Sequence, residues 1–391
     1  MAKEYQIGIL GIPGAKLAIV EAAFRKQCSD LGLPPDAVAL INEKDIGSRN
    51  RKRPFTGVFF GYPNATDVAH PILNDLLQDS VIILPVVENL ESAAELIPPK
   101  LAHINCLESS IANPKIERIV NLAFESFRLL RSERRLFISY RRLESQGIAI
   151  QLYEALDALG FDVFLDTHSV PPAADFQSVL WHRLADSDVI VLLDTPDFRQ
   201  SRWTVQELAR ANATSLQILH LLWPGVPPDP HSAFSEFVLL QAKHFFDSAR
   251  TGPAARLEHS FIEEIGRNVE ALRARAMAAR YRYLVDNFCD MARNAGQQAL
   301  VQSDRFVALT LANTRSIAVV PAIGVPSASR YQEIEEAILN APVKYGKVWL
   351  LYDDRGLLQG WLDHVEWLNR HLPVTAVCVS ACRSRIEREA A

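Results

Sequence analysis

The chain has 391 residues, 41 Lys and Arg against 46 Asp and Glu, and a formal charge of −5 at pH 7. That length exceeds one compact core and points to two or three domains, and the acidic balance argues against nucleic acid as the main partner. Five scattered cysteines (Cys28, Cys106, Cys289, Cys378, Cys382), with no C-x-x-C pair and no histidines at ligand spacing, speak against a zinc site and a disulfide framework.

From the N-terminus, "YQIGILG" and "AVALI" read as buried strands with the helix "AKLAIVEAAFRKQCSDL" between them. "GVFFG" and "SVIILPVV" follow as strands around a helical "ATDVAHPILNDLLQD". Short apolar strands alternating with helices predict a parallel, doubly wound sheet over residues 1–130. The spacing of "PKIERIVNLAFESFRLLRSERR" carries a helix out to about Arg135. No signal-peptide segment precedes the first strand, and no apolar run approaches membrane-spanning length, so a cytoplasmic protein without a membrane partner is expected.

A second α/β unit is predicted over residues 132–250, with strands "RLFISY", "FDVFLD", "DVIVLLD" and "SLQILHLLW". An uninterrupted helical pattern over residues 255–299 reads as a connecting helix or a helical hairpin. Residues 300–391 return to α/β, with strands in "RFVALTL", "SIAVVPA", "KVWLLYD" and "VTAVCVS". "LNDLLQDSVIILPVVENL" and "LWHRLADSDVIVLLDTPDF" place a helix, an Asp-Ser step and a buried strand in the same order, as doubly wound sheets in general do.

Two basic or glycine-rich stretches offer themselves as phosphate sites. "GILGIPGAKL" lacks the G-x-x-x-x-G-K-[ST] spacing, so an ordinary strand-to-helix turn is the expectation. "SRNRKRP", around Arg49 to Arg53, is expected to be a solvated loop. In the second unit, Asp166 and Asp194 follow strands, Glu207 lies early in a helix, and Tyr140, Arg141 and Arg142 close the strand "RLFISY". Carboxyl ends of parallel strands gather such residues around one crevice, and guanidinium groups beside carboxylates suit a ligand with phosphates and a sugar. Surface ion pairing is the competing reading.

The ordered phrases "RLFISYRR", "LGFDVFLDTHSVPPAADF" and "LADSDVIVLLDTPDFRQSRWTVQEL" resemble the motifs of a Toll/interleukin-1 receptor (TIR) domain. The last contains WTVQE, the W-x-x-x-E spacing of the bacterial NAD-cleaving members, preceded by Ser201. The resemblance implies a flavodoxin-like parallel-sheet TIR domain in mid-chain, flanked by two further α/β units and a helical connector. It implies an NAD+ glycohydrolase, or an ADP-ribosyl cyclase, with Glu207 as the catalytic residue. Tyr140, Arg141, Arg142, Asp166, Phe176 and Trp203 would belong to the nucleotide site, Trp203 by packing and orienting the helix. NAD+ is then substrate, and no cofactor or metal is implied. Departures from the family pattern are Ala173 and Ala174 in place of a glycine, two stiffening prolines (Pro171, Pro172), Thr204 after the tryptophan, and Asp194 in place of a serine.

By the same resemblance the chain is expected to act in antiphage immunity as a homo-oligomer or filament. The flanking units would sense a nucleotide or phage-derived trigger, or serve as assembly surfaces. The alternative is a non-catalytic scaffold that signals by homotypic association.

Overall fold

The computed structural model of the chain describes residues 4–34, 36–51, 53–67, 70–110, 115–165, 182–198, 216–228, 235–302, 305–339 and 344–391. It divides into two compact units, residues 1–132 and 133–391.

The first unit is built on a five-stranded sheet of order β2-β1-β3-β4-β5, every pair parallel. Its strands are β1 (Tyr5–Gly11), β2 (Val38–Asn42), β3 (Phe55–Phe60), β4 (Ile82–Val87) and β5 (Leu107–Glu108). The helices are α1 (Lys16–Asp30), α2 (Pro71–Gln78), α3 (Ala93–Leu96) and α4 (Ile116–Ser126). Apolar residues every third or fourth position bury one side of α1 and α4, and Phe24 stacks on Phe124 across them at 5.9 Å. Gly11 ends β1 at φ 71°, and a Cβ there would lie 2.0 Å from the Phe60 carbonyl oxygen, so only glycine fits.

One expectation for this unit holds and two change. The "GILGIPGAKL" stretch is a strand-to-helix turn, as its spacing implied, and Lys16 is occupied by Glu88 at 3.1 Å. The "SRNRKRP" stretch is not simply solvated. Arg49, with a side chain 2% exposed, lies 2.8 Å from Asp75 and also pairs with Asp79, and Arg51 pairs with the same two carboxylates of α2 and its end. Arg49 first, then Arg51, holds the Asp75 carboxyl below its ordinary range. The last helix stops at Ser126 rather than near Arg135, because Arg128 takes the left-handed φ of 57°, which no α-helix continues through.

The second unit opens with another parallel sheet, of order β10-β9-β8-β6-β7. Its strands are β6 (Arg135–Ser139), β7 (Asp162–Leu165), β8 (Val189–Asp194), β9 (Gln217–Leu222) and β10 (Ser235–Leu239). Numbered from its own first strand, this order is 2-1-3-4-5, the order of the first sheet. The repeated phrase in the sequence therefore belongs to two sheets of one topology.

Helix α5 (Arg142–Ala158) and the long α6 (His259–Asn294) cover one face of this sheet. The other face carries Phe137, Phe164, Ile190, Leu192 and Ile218. Helix α6 is one helix of 36 residues, about 54 Å long, and not a hairpin. Its first half sends Phe261, Ile265, Val269 and Leu272 into the core of the second sheet. Its second half sends Leu284, Val285, Phe288 and Ala292 into the core of a third sheet.

That third sheet has the order β11-β12-β13-β14-β15, with β11 (Gln298–Val301), β12 (Val307–Thr310), β13 (Ser316–Pro321), β14 (Lys347–Tyr352) and β15 (Thr375–Cys378). It is mixed: β11, β12 and β13 run antiparallel, and β13, β14 and β15 parallel. Helices α7 (Ala328–Leu339) and α8 (Gln359–His371) pack on one face, and α6 with α9 (Cys382–Ala390) on the other. Among the described residues no helix is long and apolar enough to cross a membrane.

Buried ion pairs tie α6 to the amino-terminal edge of the second sheet. Arg273 Nε lies 2.8 Å from Asp188 Oδ2, Arg134 pairs with Glu270, and Arg280 donates to the carbonyls of Ser187 and Ala185. The third sheet meets the same edge. Val325 N donates to Asp186 Oδ1 at 3.0 Å, and the His182 ring stacks on Trp361 of α8 at 3.8 Å.

Candidate functional site

In the second sheet the chain leaves β6 for β7 on one side and β8 on the other, so the topological switch point lies between β6 and β8. Open parallel sheets bind ligands in the crevice outside the carboxyl ends of strands at such a point. Here that edge carries Ser139 to Arg142 from β6 and Asp194 to Asp197 from β8.

Side-chain alternation along β6 sorts the corner. Leu136, Ile138 and Tyr140 belong to the core under α5 and α6, and Tyr140 is 6% exposed. Phe137 belongs to the other face, which Ser139 continues. On the same face, Asp194 continues Ile190 and Leu192, and His220 continues Ile218. His220 Nδ1 lies 3.7 Å from Asp194 Oδ2, both side chains being almost fully buried, and the imidazole packs 4.8 Å from the Phe237 ring. Among the described residues neither His220 nitrogen has a hydrogen-bond partner.

Arg141 sits in extended conformation immediately before α5. Its Nη1 lies 3.0 Å from Asp197 Oδ2 and 3.6 Å from Glu144 Oε1, while Thr195 Oγ1 donates to the other Glu144 oxygen. Arg141 is thereby held between the two strand ends by two carboxylates. Arg142 is exposed and pairs with no carboxylate among the described residues. Glu144, Thr195, Asp197 and His220 were not singled out from sequence; the Arg141–Glu144 step of three on a helix was the one local signal for the first of them.

A clamp fixes the corner from outside. Gly252 N donates to the Glu144 carbonyl at 2.6 Å, and Gly147 N donates to the Gly252 carbonyl at 3.3 Å. A Cβ on Gly147 would lie 2.5 Å from the carbonyl oxygens of Pro253 and Ala255, so the approach requires glycine. Further along α5, the Gln151 amide donates to Leu257 O at 2.9 Å and accepts from Leu257 N at 2.8 Å. The helix is irregular at Ser145, whose hydroxyl donates to the Arg141 carbonyl at 3.2 Å.

Residues 136–258 match the family model described as the TIR domain. A TIR domain lies in mid-chain. The match spans just under a third of the chain, and it is flanked by the other α/β units. No curated protein matches the chain. One solved structure, described as a phosphosugar isomerase from Silicibacter pomeroyi DSS-3, aligns over 71% of this chain and 86% of its own. Its identity is 9% and its TM-score 0.18, an overlap that carries no argument about fold or activity.

Of the residues the TIR resemblance implicates, the structure places Tyr140, Arg141 and Arg142 consecutively at the crevice, with the Tyr140 ring turned into the core. Asp166, Phe176, Trp203 and Glu207 lie outside the described residues. Among the described residues, no group of three or more His, Cys, Asp and Glu side chains could hold a metal ion.

Proposed function

We propose that the TIR domain cleaves NAD+ at the bond between nicotinamide and ribose, with Glu207 as the catalytic carboxylate. The observation that carries this reading is the WTVQE spacing, Trp203 to Glu207, inside a TIR domain and in the stretch of chain that joins β8 to β9.

The chemistry suits a single carboxylate. The nicotinamide nitrogen is already cationic, so it leaves as a neutral ring with the electron pair of the broken C–N bond, and no proton is needed. The group that needs stabilising is the oxocarbenium-like ribosyl centre, and a carboxylate at the ribose hydroxyls supplies negative charge there. Water then adds to that carbon and releases a proton, giving ADP-ribose; capture by the adenine of the same molecule would give a cyclised product. In this reading Arg141 and Arg142 meet the pyrophosphate, Arg141 exchanging Asp197 for a phosphate oxygen. Tyr140 supports the corner from the core side, Asp166 and Phe176 complete the pocket, and Trp203 orients the helix bearing Glu207.

The proposal extends to context: a bacterial defence protein of the cytoplasm whose activity rises on self-assembly, with the flanking units receiving a nucleotide or phage-derived signal. NAD+ consumption by the full chain, wild type beside Glu207→Ala, tests it. Nicotinamide release by the wild type alone is the expected result, with the second product separating hydrolysis from cyclisation. Equal inactivity of both proteins at high concentration, in any oligomeric state, would favour the scaffold reading.

A further inference from the structure

The outer edge of the third sheet is formed by β11, and its two faces are unlike those of an ordinary edge strand. Its register against β12 sets Ala299 opposite Leu309 and Val301 opposite Val307, on the face packed by α6, and Leu300 opposite Ala308 on the other face. Leu300 and Val301 are nevertheless each 54% exposed. Apolar side chains left half in water on both faces of one strand are the pattern of an interior strand lacking its neighbour. Three of the other edge strands carry charge: Glu108 on β5, Asp162 on β7 and Glu236 on β10, while β2 and β15 carry none. From Gly296 to Gln302 there is none.

The backbone of β11 is oriented for a further strand. Gln302 N donates to the Phe306 carbonyl at 2.8 Å, which fixes the alternation of the antiparallel ladder. Gln298, Leu300 and Gln302 therefore exchange bonds with β12, and Ala299 and Val301 turn their N–H and C=O groups to the open edge.

We propose that β11 pairs antiparallel with β11 of a second copy of this chain, about a twofold axis at Leu300, joining two sheets into one. The sequence is self-complementary about that residue. In Gln298-Ala299-Leu300-Val301-Gln302 the twofold sets glutamine against glutamine, alanine against valine and leucine against leucine. It also sets the open-edge residues against one another, so Ala299 and Val301 of each copy exchange four main-chain hydrogen bonds. Leu300 meets its own counterpart at the closely spaced, non-hydrogen-bonded position. Shifting the axis to Ala299 would put Leu300 against a glutamine and lose this match. On the α6 face, a cavity of about 370 Å³ lined by Cys289, Arg293, Gly296, Gln297, Gln298 and Ala299 lies where Val301 of the second copy arrives. The small Ala299 side chain leaves room for it.

Two measurements on the full chain test the pairing. Light scattering after size exclusion reads the mass of the wild type and of Leu300→Lys, which puts two ammonium groups face to face at the axis. A wild-type mass that Leu300→Lys halves, with an unchanged circular dichroism spectrum and melting temperature, is the expected result. A wild type that runs as one chain up to its highest soluble concentration, or a mass that Leu300→Lys leaves unaltered, overturns the proposal. Mild oxidation of Leu300→Cys supplies the register: closely spaced antiparallel pairs have a Cα separation compatible with a disulfide. Mass spectrometry should find a peptide joined to its own copy at position 300; its absence in a dimeric preparation overturns the register.

Discussion

Arg273 of α6 and Asp188 at the foot of β8 face each other with Nε 2.8 Å from Oδ2, and neither side chain is exposed to solvent at all. Arg273 Nη2 also donates to the Glu133 carbonyl at 3.3 Å. Removing one member of a buried pair strands the other without water. Arg273→Ala and Asp188→Ala are each expected to destabilise the second unit by roughly 3–5 kcal/mol, read by denaturant titration. Arg273→Met with Asp188→Leu should recover most of that loss, because two well-packed apolar side chains leave no buried charge.

Gly147 has a different kind of constraint. The carbonyls of Pro253 and Ala255 occupy the space a side chain would need, and they belong to the segment that clamps the corner of the candidate site. Gly147→Ala should lower stability by about 1–3 kcal/mol through displaced backbone. Gly360→Ala, with open space around the position, should be nearly silent in the same thermal melts.

At the crevice, Arg142 is exposed while Arg141 is engaged by Glu144 and Asp197. If both meet the pyrophosphate, Arg142→Ala should raise the KM for NAD+ by about tenfold, worth roughly 1.4 kcal/mol, with little change in kcat. Arg141→Ala should also alter stability, since it leaves two carboxylates facing each other at the corner. Steady-state kinetics beside thermal melts separates the two effects.

His182 supplies a pH dependence. Burial, followed by the nearby Arg183 and Arg135, lowers its pKa from 6.5 to about 4, and its ring stacks on Trp361. The unfolded chain then binds this proton more readily than the folded one. The stabilisation is complete above pH 6.5 and is lost as pH falls toward about 4. His182→Phe, which keeps the stack and cannot titrate, should flatten the fall in melting temperature over that window.

Much of the architecture was legible because buried parallel strands announce themselves as apolar runs: "VIVLL" and "SVIILPVV" could hardly be placed otherwise. The weak points were strands without that signature. β10 follows a proline-rich stretch and is half exposed along its length. In β11, "QALV" is made of residues that favour helix as readily as strand, and only Gly296, at φ 71°, breaks the helix before it. The roles of Arg49, Arg134 and Arg273 could not be read, because each is set by carboxylates distant in sequence. Arg141 and Arg142 were legible as a corner, but the carboxylates holding Arg141 depend on how β8 lies beside β6.

The family match ends at residue 258, one position before α6 begins. Yet Phe261, Ile262, Ile265, Val269 and Leu272 of that helix are part of the core beneath the TIR sheet. The boundary of the inherited module and the boundary of the folding unit thus fall in different places. A fragment cut at the former would leave a bare hydrophobic face, and since the far half of the same rod is sunk in the third sheet, the two domains should melt in a single transition. Whatever strains the distal end is felt, through unbroken helix, on the underside of the crevice's own sheet.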